Sequence, residues 1–203
     1  MAIHAQAPTT SRAKIGLGCG LSIEQSPSLR GFRLGQTYRE VTASIPNYSV
    51  PRNLKVDDLK IIHLTSLDNY EDLKEDDRFA DVTITWQFFD DKLFRLFVGY
   101  SDFRPASLSD FLRQFNKTSG IPVESFRRTS PYEAIAECVG FSAEASTARL
   151  YRAGWNRESN VILEDLEATA EIDRRDKERV RAEKERERKE IQERKRREQT
   201  FKP

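Results

Sequence analysis

Two histidines, two cysteines and a few paired carboxylates are the side chains here that could act on a substrate or a metal. His4 lies in a stretch rich in Ala, Ser and Thr. His63 sits among Ile61, Ile62 and Leu64 in an apolar, strand-like run, where a structural histidine is the expected role. One such histidine makes no His-based metal site. A Ser–His or Cys–His pair would need His63 beside a nucleophile, and the chain has no Gly-x-Ser-x-Gly elbow. Phosphate-loop, dinucleotide and calcium-loop patterns are absent too. Asp76–Asp77 and Asp90–Asp91 read as loop and turn residues. The sequence therefore assigns no catalytic residue, cofactor or metal ligand, and a non-catalytic role is expected.

Cys19 and Cys138 form neither a metal pattern nor a Cys-x-x-Cys pair. The simplest reading is two unpaired thiols with Cys138 buried; a Cys19–Cys138 disulfide requires an oxidising compartment. The opening MAIHAQAP resembles the tail of a secretory signal, with small residues at Ala5 and Ala7 and cleavage after Ala5 the better fit. No charged n-region or apolar h-region accompanies it. The alternatives are a periplasmic or secreted protein and an ordinary cytoplasmic one. GLGCG at 16–20 lacks the Leu three before Cys19 that a lipidation signal needs. No apolar run approaches the roughly 20 residues that span a bilayer.

The elements that must position any working surface centre on Asp81–Ser101, which reads as a β-hairpin turning at Asp90–Asp91. Val82, Ile84, Trp86 and Phe88 alternate with Thr83, Thr85 and Gln87, and Phe94, Leu96, Val98 and Tyr100 alternate on the return strand. For both even-numbered sets to share a face, opposed residue numbers must sum to an even number. A three-residue loop gives that, with Asp91 or Lys92 left-handed. The odd-numbered face then carries Phe89, Leu93, Arg95 and Phe97, aromatic and Arg groups of the kind that anchor interfaces.

Residues 1–30 read as a flexible arm, 31–164 as an α+β domain, 165–200 as a long charged helix and 201–203 as a tail. Thr37 with Glu40 is a capping box, and Pro46 ends that helix near Ile45. Ser107 starts a second helix whose Leu108, Phe111, Leu112 and Phe115 form one apolar stripe, stopped at Gly120. Strands are expected at 59–67, 133–139 and 141–147, with a short edge-type strand at 160–164, and 123–132 reads as a loop. The fold class is α+β, an antiparallel sheet with two short helices packed on it. Helix, three strands, helix, three strands is the order an internal duplication would produce.

Gly31, Gly35, Thr37, Glu40 and Val41 form a pattern that resembles the helix start of the SmpA/OmlA-type envelope lipoproteins and of β-lactamase-inhibitor-protein-like domains. Phe88–Leu93 (FFDDKL) is similar to their common hairpin, with Asp91 in place of a Gly. The resemblance implies a helix-plus-meander fold, envelope association and inhibitor-like recognition on a sheet face.

Residues 171–203 hold 14 basic and 10 acidic residues, a net +4, which leaves the remainder at −3. Opposite charges four apart, such as Glu171–Arg175 and Glu185–Lys189, can hold a solvated helix together. Val180 and Ile191 are its only strong hydrophobes beyond Ile172, so no heptad seam forms. Arg194, Lys195, Arg196 and Arg197 could grip an anionic surface, nucleic acid or lipid headgroups, but they are also what the negative end of a helix favours. The leading expectation is a non-catalytic, extracytoplasmic domain that binds a protein partner and carries a helical spacer or docking arm. The alternative is an anionic-surface binder working through residues 194–197, and an enzyme ranks third.

Overall fold

The computed structural model describes residues 18–46, 59–65, 82–100, 103, 105–147 and 159–200, with only the backbone of 63–65, 199 and 200. Seven strands form one antiparallel sheet: β1 (Leu59–Thr65), β2 (Val82–Phe89), β3 (Lys92–Tyr100), β4 (Arg127–Ser130), β5 (Glu133–Glu137), β6 (Phe141–Thr147) and β7 (Ser159–Asp165). Their order across the sheet is β1-β2-β3-β7-β6-β5-β4. Among the described residues three α-helices accompany the sheet: α1 (Tyr38–Ala43), α2 (Leu108–Ser119) and α3 (Leu166–Thr200). The α+β reading holds, and the two helix-plus-strands halves meet through their last strands, β3 and β7.

Period-2 alternation decides which face is buried. Ile62, Trp86, Leu96, Leu163, Ala143 and Ala136 stand on successive strands along one rung, and Ile84, Val98, Val161, Ala145 and Ala134 along the next. Trp86, Leu96, Leu163 and Ala143 have no exposed surface. α2 lays Leu108, Phe111, Leu112 and Phe115 on this face, held by the Ser107 cap and stopped at Gly120, whose φ of 72° suits only glycine well. α1 is six residues long and too short to persist alone. Its Thr37–Glu40 capping box is complete, with Thr37 N donating to Glu40 Oε2 at 2.7 Å and Glu40 N to Thr37 Oγ1 at 3.2 Å.

The hairpin loop differs from expectation. It has two residues, not three, and both Asp90 (φ 47°) and Asp91 (φ 66°) are left-handed, the conformation of the turn that matches strand twist. Parity is restored inside the strand instead. Trp86 opposes Leu96 and Gln87 opposes Arg95, but Phe88 opposes Leu93, so one extra residue is accommodated on β3 as a bulge. The bulge exchanges two side chains: Leu93 enters the main core, fully buried, while Phe94 turns to the other face against Phe89, ring centroids 6.4 Å apart. Leu93 is thus not part of an odd-numbered interaction face.

Four further expectations are corrected. Residues 18–30 are not a loose arm: Leu29 is buried, Ser22 bridges Val139, and Cys19 is disulfide-bonded to Cys138, 119 residues away. The two thiols are therefore paired, because the β5–β6 turn brings Cys138 within 4.9 Å of Cys19 between Cα atoms. Asn160–Glu164 is no edge strand but the heart of β7, flanked on both sides, because Val161 and Leu163 complete both rungs. Residues 127–130, read as loop, form β4, one of the two edge strands of the sheet. His63 pairs through its backbone with Thr85, and its side chain, like His4, lies outside the described residues.

Trp86 also stacks edge-on with Phe32, centroids 4.9 Å apart. Trp86→Ala should therefore cost ~3–5 kcal/mol, read as a fall in the denaturation midpoint; an unchanged midpoint would contradict the face assignment. Opening the 119-residue loop should cost a comparable ~3–5 kcal/mol. Thermal melts of the Cys19→Ala/Cys138→Ala double variant, with the oxidised protein as reference, measure it.

Candidate functional site

One face of the sheet is packed; the other is the surface from which a site can be built. Its residues are the odd positions of β2, the even positions of β6 and β7, and the positions of β3 beyond the bulge that point away from Leu96 and Val98. One rung runs Thr85, Phe97, Ile162, Glu144, Ile135 and the adjacent rung Ile61, Gln87, Arg95, Glu164, Ser142. Thr85, Gln87, Arg95, Phe97 and Ile162 line a shallow hollow of about 380 Å³. Phe97 and Ile162 are half-buried, and Ile61, on the same face, is 50% exposed. Gly99 is what lets the Phe97 ring lie along its own strand: a Cβ there would stand 3.2 Å from the ring.

α3 bounds this face at the hairpin end. β7 passes into α3 without a loop, because Asp165 Oδ1 accepts from Glu167 N and Ala168 N at 2.9 and 3.0 Å, an N-cap supplied by the strand's last residue. Leu166 N donates to Gly140 O and Thr169 Oγ1 to Glu164 Oε1. Ala168, Thr169, Glu171, Ile172 and Arg175, at helical spacing, are the part-buried positions; from Asp176 to Glu198 every residue is exposed. Arg175 is the outermost anchor. Its guanidinium lies 4.6 Å over the Phe89 ring, forks onto Asp90 at 2.8 and 3.3 Å, and reaches Glu171 at 2.9 Å. Glu171, held also by Arg174 at 2.6 Å, has its carboxyl lowered to about 2, chiefly by Arg174 and then by Arg175.

Of the expected interaction residues, the structure brings Arg95 and Phe97 together on the hollow and places Phe89 at its edge under Arg175. Leu93 is removed to the core. Arg194, Lys195, Arg196 and Arg197 lie on the projecting helix, roughly 28 Å of helix beyond the Arg175 anchor, and do not join the sheet face. Arg194 pairs with Glu198 at 3.2 Å rather than with Glu190. Sequence reasoning missed Ile162, which strand parity around Val161 and Leu163 would have put on the open face. It also missed the long-range role of Arg175, whose partner Asp90 is 85 residues away.

What this arrangement offers is a contact surface of half-exposed apolar groups beside a guanidinium. Among the described residues no group of His, Cys, Asp and Glu could hold a metal ion. Among the described residues no helix is long and apolar enough to cross a membrane. Comparison of the chain with protein-family models, curated proteins and solved structures finds no match.

The anchoring makes two expectations for α3. A chain ending at Asp176 should keep its thermal midpoint within a few degrees, since every described side chain beyond it is exposed, whereas one ending at Asp165 should lose clearly more by uncovering Phe89. Glu171 is ordinarily half-protonated near pH 4.5 and here only near 2, so its contribution is complete above about 4.5 and is lost as pH falls toward 2. Protection factors of the amides of residues 166–175, referred to the intrinsic exchange rate at each pH, should fall across that window; unchanged protection factors would remove Glu171 from the anchor.

Proposed function

We propose that this chain is a non-catalytic, extracytoplasmic protein-binding domain that recognises its partner on the open sheet face and carries α3 as a spacer or docking arm. The observation that carries the reading is the Arg95–Phe97–Ile162 hollow. The opposite face of the same sheet is covered by α1, α2 and residues 18–36, while here aromatic and aliphatic groups stand half-exposed beside an Arg. Arg95 forms no ion pair among the described residues. A half-buried guanidinium next to apolar surface is typical of the few residues that dominate protein–protein affinity. The Cys19–Cys138 disulfide, of a kind that persists in oxidising surroundings, supports an extracytoplasmic reading. The likeness of the Gly35–Thr37–Glu40 helix start to envelope lipoproteins and inhibitor-protein-like domains points the same way. The helix beyond Asp176 alternates both signs of charge along its length, which suits a solvated spacer.

A photo-crosslinking residue at position 97 tests this in the native cell. A discrete adduct is expected from position 97 and not from exposed Tyr132 on the β4–β5 turn, and Arg95→Glu should abolish it. Once the partner is isolated, Phe97→Asp should weaken binding at least tenfold, about 1.4 kcal/mol, with the fold retained. Equal adducts from 97 and 132, or none from either, would overturn the assignment of the face.

A further inference from the structure

Beyond its anchor, α3 carries its charges in an ordered way. Arg179, Lys189 and Arg194 pair within the helix, with Asp176, Glu185 and Glu198. Lys177, Arg181, Lys184, Arg188 and Lys195 form no hydrogen bond or ion pair among the described residues. They stand at i, i+4, i+7, i+11 and i+18. At 3.6 residues per turn those spacings put all five cations within a sector of about 60°, along about 27 Å of helix. Gln192 fills the gap between Arg188 and Lys195. Arg186, also without such a partner, projects from the opposite side.

The acids of the helix leave this line uncompensated. Glu178, Glu185 and Glu198 turn to Arg174, Lys189 and Arg194, none of them in the line. Glu183, Glu190 and Glu193 project from the far side, and Asp173 and Glu187 stand at the margin. Like charges three or four apart repel, so Lys177–Arg181, Arg181–Lys184 and Lys184–Arg188 each weaken the helix. A spacer has only to stay helical and gains nothing from that repulsion. Two aliphatic side chains share the same side. Val180 and Ile191 are 45% and 47% exposed, and each stands four residues before a lysine of the line, Lys184 or Lys195.

A plane of anionic headgroups fits this side of the helix. It meets a straight line of cations along its whole length, and their long apolar stems let the charged ends reach the phosphates. The boundary with the acyl chains takes up Val180 and Ile191. The far-side acids stand about 10 Å further out, beyond the screening length of about 8 Å at physiological salt. The phosphates of a nucleic-acid duplex curve away from a straight helix and offer nothing to the two aliphatic groups.

We propose that α3 is a membrane-surface arm, lying flat on anionic phospholipid through Lys177, Arg181, Lys184, Arg188 and Lys195, with Val180 and Ile191 at the acyl boundary. The proposal rests on the reading of α3 as a docking arm and not on the open sheet face. With two aliphatic residues the attachment is peripheral, reversible and sensitive to salt. Of residues 194–197, only Lys195 belongs to the contact.

Co-sedimentation of the full chain with vesicles tests this. Vesicles of equal phosphatidylglycerol and phosphatidylcholine should bind it at least tenfold more tightly than phosphatidylcholine alone, and high salt should release it. Lys184→Gln/Arg188→Gln should weaken binding about 25-fold, fivefold for each cation. Arg179→Gln/Arg186→Gln removes the same charge from the opposite side and should leave binding close to the parent's, with helicity by circular dichroism retained in both variants. Equal binding to the two vesicles, binding to neither, or equal loss in the two variants would each overturn the proposal. Tighter binding to a short DNA duplex than to the anionic vesicles would overturn it in favour of nucleic acid. The position-97 adduct reads the sheet face separately. An adduct without vesicle binding removes the membrane arm alone; vesicle binding without an adduct removes the face reading alone.

Discussion

Everything in this domain depends on the pairing of β3 with β7. Each half of the chain builds a helix and a short meander, and each meander ends in a strand whose outer edge has no partner within its own half. Six residue pairs from Arg95–Glu164 to Tyr100–Ser159 join those edges. Because Leu96 meets Leu163 and Val98 meets Val161, the same ladder that satisfies the backbone also fuses two small apolar patches into one core. Neither patch alone would bury enough surface to offset the entropy of ordering it. The pairing simultaneously juxtaposes Phe97 with Ile162 on the reverse face, so the candidate interaction surface exists only where the halves meet.

A single extra residue in β3 sets the rest of that surface. Asp90–Asp91 makes the tightest hairpin turn, whose register alone would send the apolar side chains of β3 to the wrong face. The bulge after Leu93 corrects the register for the remainder of the strand. In doing so it places Phe94 beside Phe89 on the outer face, bracing the Phe89 ring on which Arg175 settles. The backbone at the turn is used as well. Asp91 O accepts from Tyr38 N, and Leu93 exchanges hydrogen bonds with Gly35 and Gln36, so the capping-box helix is fixed to the hairpin tip.

The sequence made much of this legible because its signals are local. Trp86 sits on the alternating face it should, and Thr37, Ser107 and Gly120 cap the helices they announce. What escaped was non-local. The bulge conserves hydrophobic parity through backbone geometry that period-2 counting cannot distinguish from a longer loop. Cys19 and Cys138 become partners only through the β5–β6 turn and the parallel bridge at Ser22–Val139. The central place of β7 is set by its partner β3, some sixty residues upstream, and short length alone suggested an edge. Arg95 and Phe97 were read correctly as outward-facing because they lie beyond the bulge; Leu93, before it, was not.

The direct passage from β7 into α3 has a mechanical consequence. A tensile load applied at the far end of the helix reaches the domain through the central strand of the sheet, hydrogen-bonded on both sides by ladders of six and seven pairs. Beyond Arg175 every described side chain of the helix is exposed, so little packing resists stretching. Under pull its roughly 25 residues would lengthen from about 37 Å as a helix toward about 85 Å as extended chain. The Arg175 clamp, made of solvent-exposed ion pairs, would release after that and before the ladders. The chain thus couples a compliant tether to a stiff seat, an arrangement that spares the folded body while whatever lies at the two ends moves apart.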